Sequence, residues 1–496
     1  MHLTSTLYRA SLSLLTDLYQ LTMAYGYWKA GMAEKEAVFH LFFRKHPFKG
    51  GFTIACGLDY AIDFIRNFQF DASDIAYLGS LQGNDGKPLF EQAFLDYLAQ
   101  LRFTGDVEAI PEGTIVFPQE PLVRIQGPIA QCQLLETALL NIINFQSLIA
   151  TKAARMHIAT QGEPVLEFGL RRAQGIDGAL AASRAAYIGG CSATSNVLAG
   201  KLFGIPVKGT HAHSWVMSFD TEMEAFETYA QHLPNNCVFL VDTYDTLEGV
   251  KNAVEVGKRL RAKGFEMMGI RLDSGDLAYL SVEARKILDE NGFPEAQIVA
   301  SNDLDEEIVV SLKDQKAQIN VWGIGTKLVT AYDQPALGGV YKIAAIRNSQ
   351  GQWVYKVKLS EQAVKVSNPG ILQVRRFTEQ GQFVADMIYN TEEANLGKPT
   401  IVDPMDLTRR KTISPQASFQ DLLQPIFRQG QLVYALPDIH QIRAKAQQEL
   451  QGFHAGIKRF VNPHSYPVGL EETLYDYKTA LILRLRQQAH QKAGDS

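Results

Sequence analysis

Two histidines, His211 and His213, flank a single alanine in "GTHAHSWVMSF" (209–219), directly after the short apolar run "IPVK". They are one case of a wider pattern. Six successive apolar runs that fit short strands each end on groups able to do chemistry. "VLEF" ends beside Glu167 and leads to Arg171, and "IPVKG" leads to Thr210, His211 and His213. "VFLV" ends on Asp242 and Thr243, and "MMGI" on "RLDSGD" with Arg271, Asp273, Ser274 and Asp276. "IVA" ends on Ser301, Asn302 and Asp303, and "INVW" on "GIGTK". Any one strand end is loop and therefore polar. Six together, all at the carboxyl ends, describe a composite active site of the kind built on parallel sheets.

The residue types bound the chemistry. "GIGTK" (323–327) offers backbone N–H groups unhindered by side chains at its glycines, the Thr326 hydroxyl and the Lys327 charge, which suit a phosphate, although GxxxxGK[ST] is absent. Arg271 can fork onto a planar carboxylate or a phosphate. The two carboxylates of "RLDSGD", Asp273 and Asp276, can hold a Mg²⁺ that bridges phosphate oxygens. "RLDSGD" also fits an ion-paired loop before a helix, with Ser274 or Asp276 as its N-cap. The histidine pair has three readings: satisfied structural histidines, ligands of a metal-dependent hydrolase, or one histidine acting on a phosphate beside the Thr210 hydroxyl. The hydrolase needs further ligands, and the remaining histidines His232, His440, His454 and His464 lie in helical or tail segments.

The elements that must position these groups follow from periodicity. From about residue 164 the apolar runs alternate with helical stretches such as "EGVKNAVEVGKRLRAKG" and "LAYLSVEARKILDENG", the βαβ pattern of a parallel sheet, as a barrel or doubly wound. We expect an α/β barrel over 160–345. Before it, 1–130 reads as a mixed α/β domain, with a helix over 13–30 starting near Ser13 or Thr16 and a strand in 36–47. A second helix is expected over 52–68 and short strands in 105–127, and a long helix over 131–159 leads on. After it, 346–496 is expected to hold β-hairpins and a mixed helical tail from about 436, partly packing back on the N-terminal domain. "GGVYKIAAIRNSQGQWVYKVKLS" and "ILQVRRFTEQGQFVADMIYN" each place a polar turn between strand-like runs.

Bulk properties exclude other classes. The 496 residues are 46% apolar and 20% charged with a net charge of −5, so a general nucleic-acid surface is not expected. Cys56, Cys132, Cys191 and Cys237 are too dispersed for a CxxC pair and read as reduced, mostly buried thiols. No apolar run approaches the roughly 18 residues of a membrane helix. The expected compartment is the cytoplasm.

Taken in order, "LLTDLYQLTMAYGYWKAG" (14–31), "EFGLRRAQGIDGALAASRAAYIGGCSATSNVLAG" (167–200), "GTHAHSWVMSF", "GIRLDSGDL" (269–277) and "WGIGTKLVTAYDQPALGGVYK" (322–342) closely resemble the nicotinate phosphoribosyltransferase family. The resemblance implies an irregular, TIM-like α/β barrel. It also implies an ATP-coupled, ligase-type enzyme of NAD salvage that joins nicotinate to 5-phosphoribosyl 1-diphosphate, giving nicotinate mononucleotide and pyrophosphate. It makes His213 the transiently phosphorylated histidine and places His211 on a variable position. Thr210 and Arg271 resemble nicotinate contacts, with Glu167 and Arg171 in the same pocket motif. Tyr19 resembles a ring-stacking tyrosine that completes the neighbouring subunit's site, which implies a homodimer. Asp242 and Asp273 match carboxylates near the ribose and Mg²⁺, and Asp303, Gly325 and Thr326 fall at the phosphoribosyl diphosphate site. The implied cofactors are Mg²⁺ and ATP as co-substrate. The nearest rival is nicotinamide phosphoribosyltransferase, whose pocket reads an amide.

Overall fold

The computed structural model describes residues 11–393, 399–406 and 408–494. The chain divides into two compact units, one made of Met1–Ser147, Ala336–Asp438 and Gln448–Ser496, the other of Leu148–Pro335 and Ile439–Gln447.

The first unit is β-rich. Its seven-stranded antiparallel sheet runs in the order Trp353–Tyr355, Gly339–Arg347, Glu36–Phe43, Val123–Pro128, Asp106–Ala109, Gln424–Arg428, Gln431–Leu432. Glu36–Phe43 lies inside it, and every residue from Ala37 to Phe43 is buried, which is why "AVFHLFF" lacks polar alternation. A six-stranded sheet contains the second expected hairpin, Leu372–Glu379 with Gln382–Asn390. Its two-residue turn, Gln380 and Gly381, has φ of 50° and 78°, the left-handed pair a tight hairpin needs. Across that hairpin Arg376 faces Asp386, both fully buried and ion-paired at 2.6 Å.

Several boundaries differ from expectation for visible reasons. The first helix spans Leu18–Lys29 with Asp17 at its N-cap, because the Ser13 hydroxyl is bonded instead to the backbone of Gln69. The expected helix over 52–68 begins only at Leu58, after a two-residue strand, Thr53–Ile54, and Gly57 at φ 104°. The tail from 436 carries the strand Val468–Glu471 between the helices Ile439–Gly452 and Glu472–Gly494.

The second unit carries a six-stranded, wholly parallel sheet, in the order Ala193–Thr194, Val165–Glu167, Val321–Ile324, Gln297–Ala300, Gly269–Leu272, Val238–Leu240. Five of its strands are the apolar runs read from the sequence. The sixth run, "IPVK", is not a strand: it makes one isolated bridge, Val207 to Thr194. Pro206 has no N–H to extend a ladder, so the segment only flanks the edge strand Ala193–Thr194. Thr210, His211 and His213 therefore hang from an irregular segment beside the sheet.

Three helices follow their strands after short loops, each opened by an aspartate cap. Asp245 accepts from the Glu248 N–H at 3.0 Å, Asp276 from Tyr279 at 3.1 Å and Asp305 from Ile308 at 2.8 Å. Asp276 is thus the helix cap that its place in "RLDSGD" allowed. The four cysteines are buried and none is in a disulfide, and among the described residues no helix is long and apolar enough to cross a membrane.

Candidate active site

Register places the chemistry. Leu240 pairs with Arg271, and Ala300 with Leu272. Continuing each parallel ladder past its last pair sets Asp242 beside Asp273 on one side and Ser301 beside it on the other. Asp273 is the middle of that row. Its backbone N–H donates to Asp242 Oδ2 at 2.9 Å, and its Oδ1 accepts from the Ser301 hydroxyl and from Arg271 Nη2, the latter at 3.0 Å. Burial pushes the Asp273 carboxyl up, but the bonds from Ser301 and Arg271 outweigh it and hold the group below the ordinary aspartate value.

Arg271 is the hub. Nε donates to Ser301 Oγ at 2.8 Å, Nη1 to Thr210 Oγ1 at 3.0 Å and Nη2 to Asp273, and the guanidinium carbon lies 5.6 Å from the centre of the Phe168 ring. The Thr210 hydroxyl in turn donates to the His211 carbonyl at 3.1 Å. Asp242 Oδ2 also accepts from the Ser274 hydroxyl at 2.6 Å, while its Oδ1 is buried with no hydrogen-bond partner. A buried carboxylate oxygen without a donor is costly unless something else meets it.

The two histidines separate cleanly. His213 opens the short helix His213–Val216, is 39% exposed, and places Nδ1 3.1 Å from Thr243 Oγ1 and Nε2 3.7 Å from Asp273 Oδ2. His211 is 8% exposed and packs against Phe226, Tyr229 and Phe239. Its Nε2 accepts the Leu240 N–H at 3.3 Å, and burial pushes its imidazole down to about 4. A ring nitrogen already accepting a backbone N–H has no lone pair for a metal. Among the described residues no group of three or more His, Cys, Asp or Glu side chains could hold a metal ion. His211 is structural, and the hydrolase reading loses its ligand pair.

Around this cluster the other predicted residues take distinct places. Glu167 is fully buried and accepts from the Gly169 N–H, from Ser183 at 2.8 Å and from Thr194 at 2.6 Å, so its carboxylate is committed to protein partners. Replacing Glu167 with alanine strands three buried donors and is expected to cost about 3 kcal/mol of stability, read as a lowered denaturant midpoint. Arg171 is exposed on the single turn Leu170–Arg172. Gly325 begins the short helix Thr326–Val329, and a Cβ there would stand 3.0 Å from the Phe168 carbonyl oxygen. A Cβ on Gly323 would stand 2.8 Å from the Phe168 ring. These glycines let the turn close against Phe168. Lys327, whose charge suited a phosphate on sequence grounds, instead pairs with Asp305, which holds its ammonium above the ordinary lysine value. Asp303 is exposed and donates its N–H to Asn302 Oδ1 at 2.9 Å, and Asn302 itself has φ 110°, a strained conformation for a residue with a Cβ. Tyr19 belongs to the first unit and is 48% exposed on its helix.

Ser301 and Thr243 stand among the strand-end groups read from sequence, but without partners assigned to them, and Phe168, the wall under Arg271, gave no signal of its own. Each sits next to a residue that drew attention. Their partners became identifiable only once the strand register was fixed.

Models of the nicotinate phosphoribosyltransferase family match the chain at its N-terminal domain over residues 14–144, its family region over 164–382 and its C-terminal domain over 373–478. The chain is 45% identical over 489 residues to a nicotinate phosphoribosyltransferase of Bacillus subtilis, covering 97% of each. To the Caenorhabditis elegans protein of that name it is 38% identical, covering 95% of this chain and 93% of the other. The crystal structure of human nicotinic acid phosphoribosyltransferase is similar with a TM-score of 0.81 and 34% identity, over 94% of this chain and 99% of that one.

Proposed function

The chain belongs to the nicotinate phosphoribosyltransferase family and works in NAD salvage, and from that premise we propose that the row Asp242–Asp273–Ser301, with Arg271, Thr210 and His213, is its reaction centre. The observation that carries this reading is the convergence of four chain segments on Arg271 and Asp273, at the carboxyl end of the parallel sheet. The sheet is read as the wall of an irregular α/β barrel, whose carboxyl-end loops build the site.

Nicotinate would present its carboxylate to Arg271 and Thr210. The pyridine nitrogen attacks C1 of the ribose as the C1–O bond to pyrophosphate breaks, so positive charge develops on the sugar and negative charge on the leaving group. That nitrogen carries a free lone pair, so no general base is required, and catalysis rests on alignment and charge stabilisation. Asp273 and Asp242 face the developing positive charge. The unpartnered Asp242 Oδ1 and the outward Asp273 Oδ2 fit a Mg²⁺ held by two carboxylates and substrate oxygens. Bound there, the ion would supply neutralisation of the leaving pyrophosphate. Gly325, Thr326 and Asp303 line the phosphoribosyl diphosphate side.

His213 serves ATP. In the tautomer whose Nδ1–H donates to the Thr243 hydroxyl 3.1 Å away, Nε2 keeps its lone pair and can attack the terminal phosphorus, releasing ADP and forming phosphohistidine, which water later hydrolyses. Tyr19 would stack on nicotinate in the neighbouring subunit of a homodimer, and the cytoplasm is the compartment that fits its reduced thiols. In an assay with nicotinate, phosphoribosyl diphosphate and Mg²⁺, ATP is expected to stimulate nicotinate mononucleotide formation about tenfold or more, a barrier change of about 1.4 kcal/mol or more. His213→Ala should retain the basal rate and lose the stimulation. Equal stimulation in the variant would remove His213 from this role, and reaction with nicotinamide alone would overturn the acid pocket.

A further inference from the structure

Ser301 lies at the centre of the cluster yet offers little to a substrate. It is 4% exposed, and both its hydrogen-bonding roles are fixed by its partners. Arg271 Nε can only donate, so Ser301 Oγ accepts there, at 2.8 Å; the ionised Asp273 can only accept, so the single hydroxyl hydrogen goes to Oδ1. The hydroxyl is therefore an oriented link between cation and carboxylate.

This link determines what Arg271 has left. A guanidinium has five N–H donors. Three are used, by Ser301, Thr210 and Asp273, which leaves two, one on each terminal nitrogen. Two N–H groups on one fork match the two oxygens of a planar carboxylate. An amide meets the same fork with one acceptor and one donor, and the donor is repelled. Discrimination between acid and amide thus depends on where the fork points. Phe168 limits the guanidinium on one face, Thr210 holds Nη1 and Asp273 holds Nη2. The Nε bond to Ser301 fixes the remaining degree of freedom.

We propose that Ser301 is a positioning residue for acid-over-amide selectivity: it touches no substrate, and it locks the Arg271 fork in the orientation that reads a carboxylate. This rests on the assignment of Arg271 to the nicotinate carboxylate made above. Loss of the hydroxyl leaves Nε buried without an acceptor and lets the fork turn toward Asp273, while the positive charge stays in the pocket. Nicotinate should then weaken, and neutral pyridines should not.

The test compares Ser301→Ala with wild type and with Arg271→Ala, all as full-length enzyme. In Ser301→Ala the KM for nicotinate should rise about tenfold, the scale of one hydrogen bond to a charged group. The KM for phosphoribosyl diphosphate should move far less than that for nicotinate. The inhibition constants of nicotinamide and 3-acetylpyridine, measured as neutral competitors, should change less than twofold. Ser301→Cys keeps the side-chain volume and carries the same measurement if the alanine variant does not fold. Equal weakening of acid and neutral pyridines marks a general packing role and overturns the proposal. So does an unchanged nicotinate KM in Ser301→Ala beside a raised one in Arg271→Ala. An Arg271→Ala enzyme with unchanged nicotinate KM removes the pocket assignment itself, and this inference goes with it.

Discussion

An Asp242→Asn enzyme is expected to turn over about a thousandfold more slowly than the parent while still binding nicotinate, the upper end of what removing one transition-state charge contact costs. The amide is nearly isosteric, so the loss would come from its polarity pattern. Oδ2 of Asp242 accepts from the Ser274 hydroxyl and from the Asp273 backbone N–H, and that N–H can only donate and so must face oxygen. The asparagine must therefore put its carbonyl there, which turns its NH₂ toward the place where Asp242 Oδ1 now sits without a partner. A donor replaces the one open carboxylate oxygen beside Asp273. Any cation or developing positive charge at that point meets N–H dipoles of the wrong sign. Steady-state kinetics with a Mg²⁺ titration would show the fall in kcat and a right-shifted Mg²⁺ requirement. Calorimetry with nicotinate should show little change, because the hydrogen bonds of Asp242 run to Asp273 and Ser274 and not to Arg271 or Thr210. A variant within tenfold of the parent at every Mg²⁺ concentration would take Asp242 out of the reaction centre.

The contrast between the two histidines shows how far sequence reaches and where it stops. Their spacing invited a metal pair, and nothing in the string "HAH" separates one from the other. The structure does so through burial. His211 points into Phe226, Tyr229 and Phe239 and accepts the Leu240 N–H, whereas His213 starts a helical turn and reaches Thr243. The strands were more legible because their signal is local. "VLE", "VFL", "GIRL", "QIVA" and "VWGI" are apolar runs closed by turn residues, and each is a strand. "IPVK" has the same texture and fails, since Pro206 withholds the N–H that a ladder would use. Ala193–Thr194 was illegible for the opposite reason: "CSATSN" carries no apolar run, and its pairing comes from the neighbouring Val165–Glu167 strand.

Side-chain partnerships lay beyond the sequence altogether, because they depend on register. Asp242, Asp273 and Ser301 stand in one row only because Leu240 pairs with Arg271 and Ala300 with Leu272. A shift of one residue would turn each side chain to the other face of the sheet and dissolve the row. Lys327 makes the same point. Beside a glycine-rich turn its charge suggested a phosphate ligand, yet Asp305, the cap of the preceding helix Glu306–Asp314, is close enough to claim it. The turn's remaining capacity for phosphate is its backbone and Thr326.

Arg271→Ala should weaken nicotinate more than any other single change in the pocket. Two charge-assisted bonds to a carboxylate, each worth about 1.5–3 kcal/mol, correspond to a loss of a hundredfold or more in nicotinate affinity. The variant also leaves Thr210 Oγ1 and Ser301 Oγ without their donor, and leaves Asp273 facing the pocket with its charge uncompensated. That second effect has a sign of its own. A negative pocket repels an acid but tolerates an amide, so the ratio of nicotinate to nicotinamide use should fall further than the nicotinate KM alone suggests. Arg271→Lys should not restore it. An ammonium offers three donors from one point and can satisfy Asp273, but it cannot serve Ser301, Thr210 and a planar carboxylate together from the geometry seen here. Competition kinetics with both pyridines, on the alanine and lysine variants, would read this directly. Lysine restoring wild-type selectivity would mean that net charge suffices, and that the fixed fork held between Thr210, Asp273 and Ser301 is incidental to the choice of substrate.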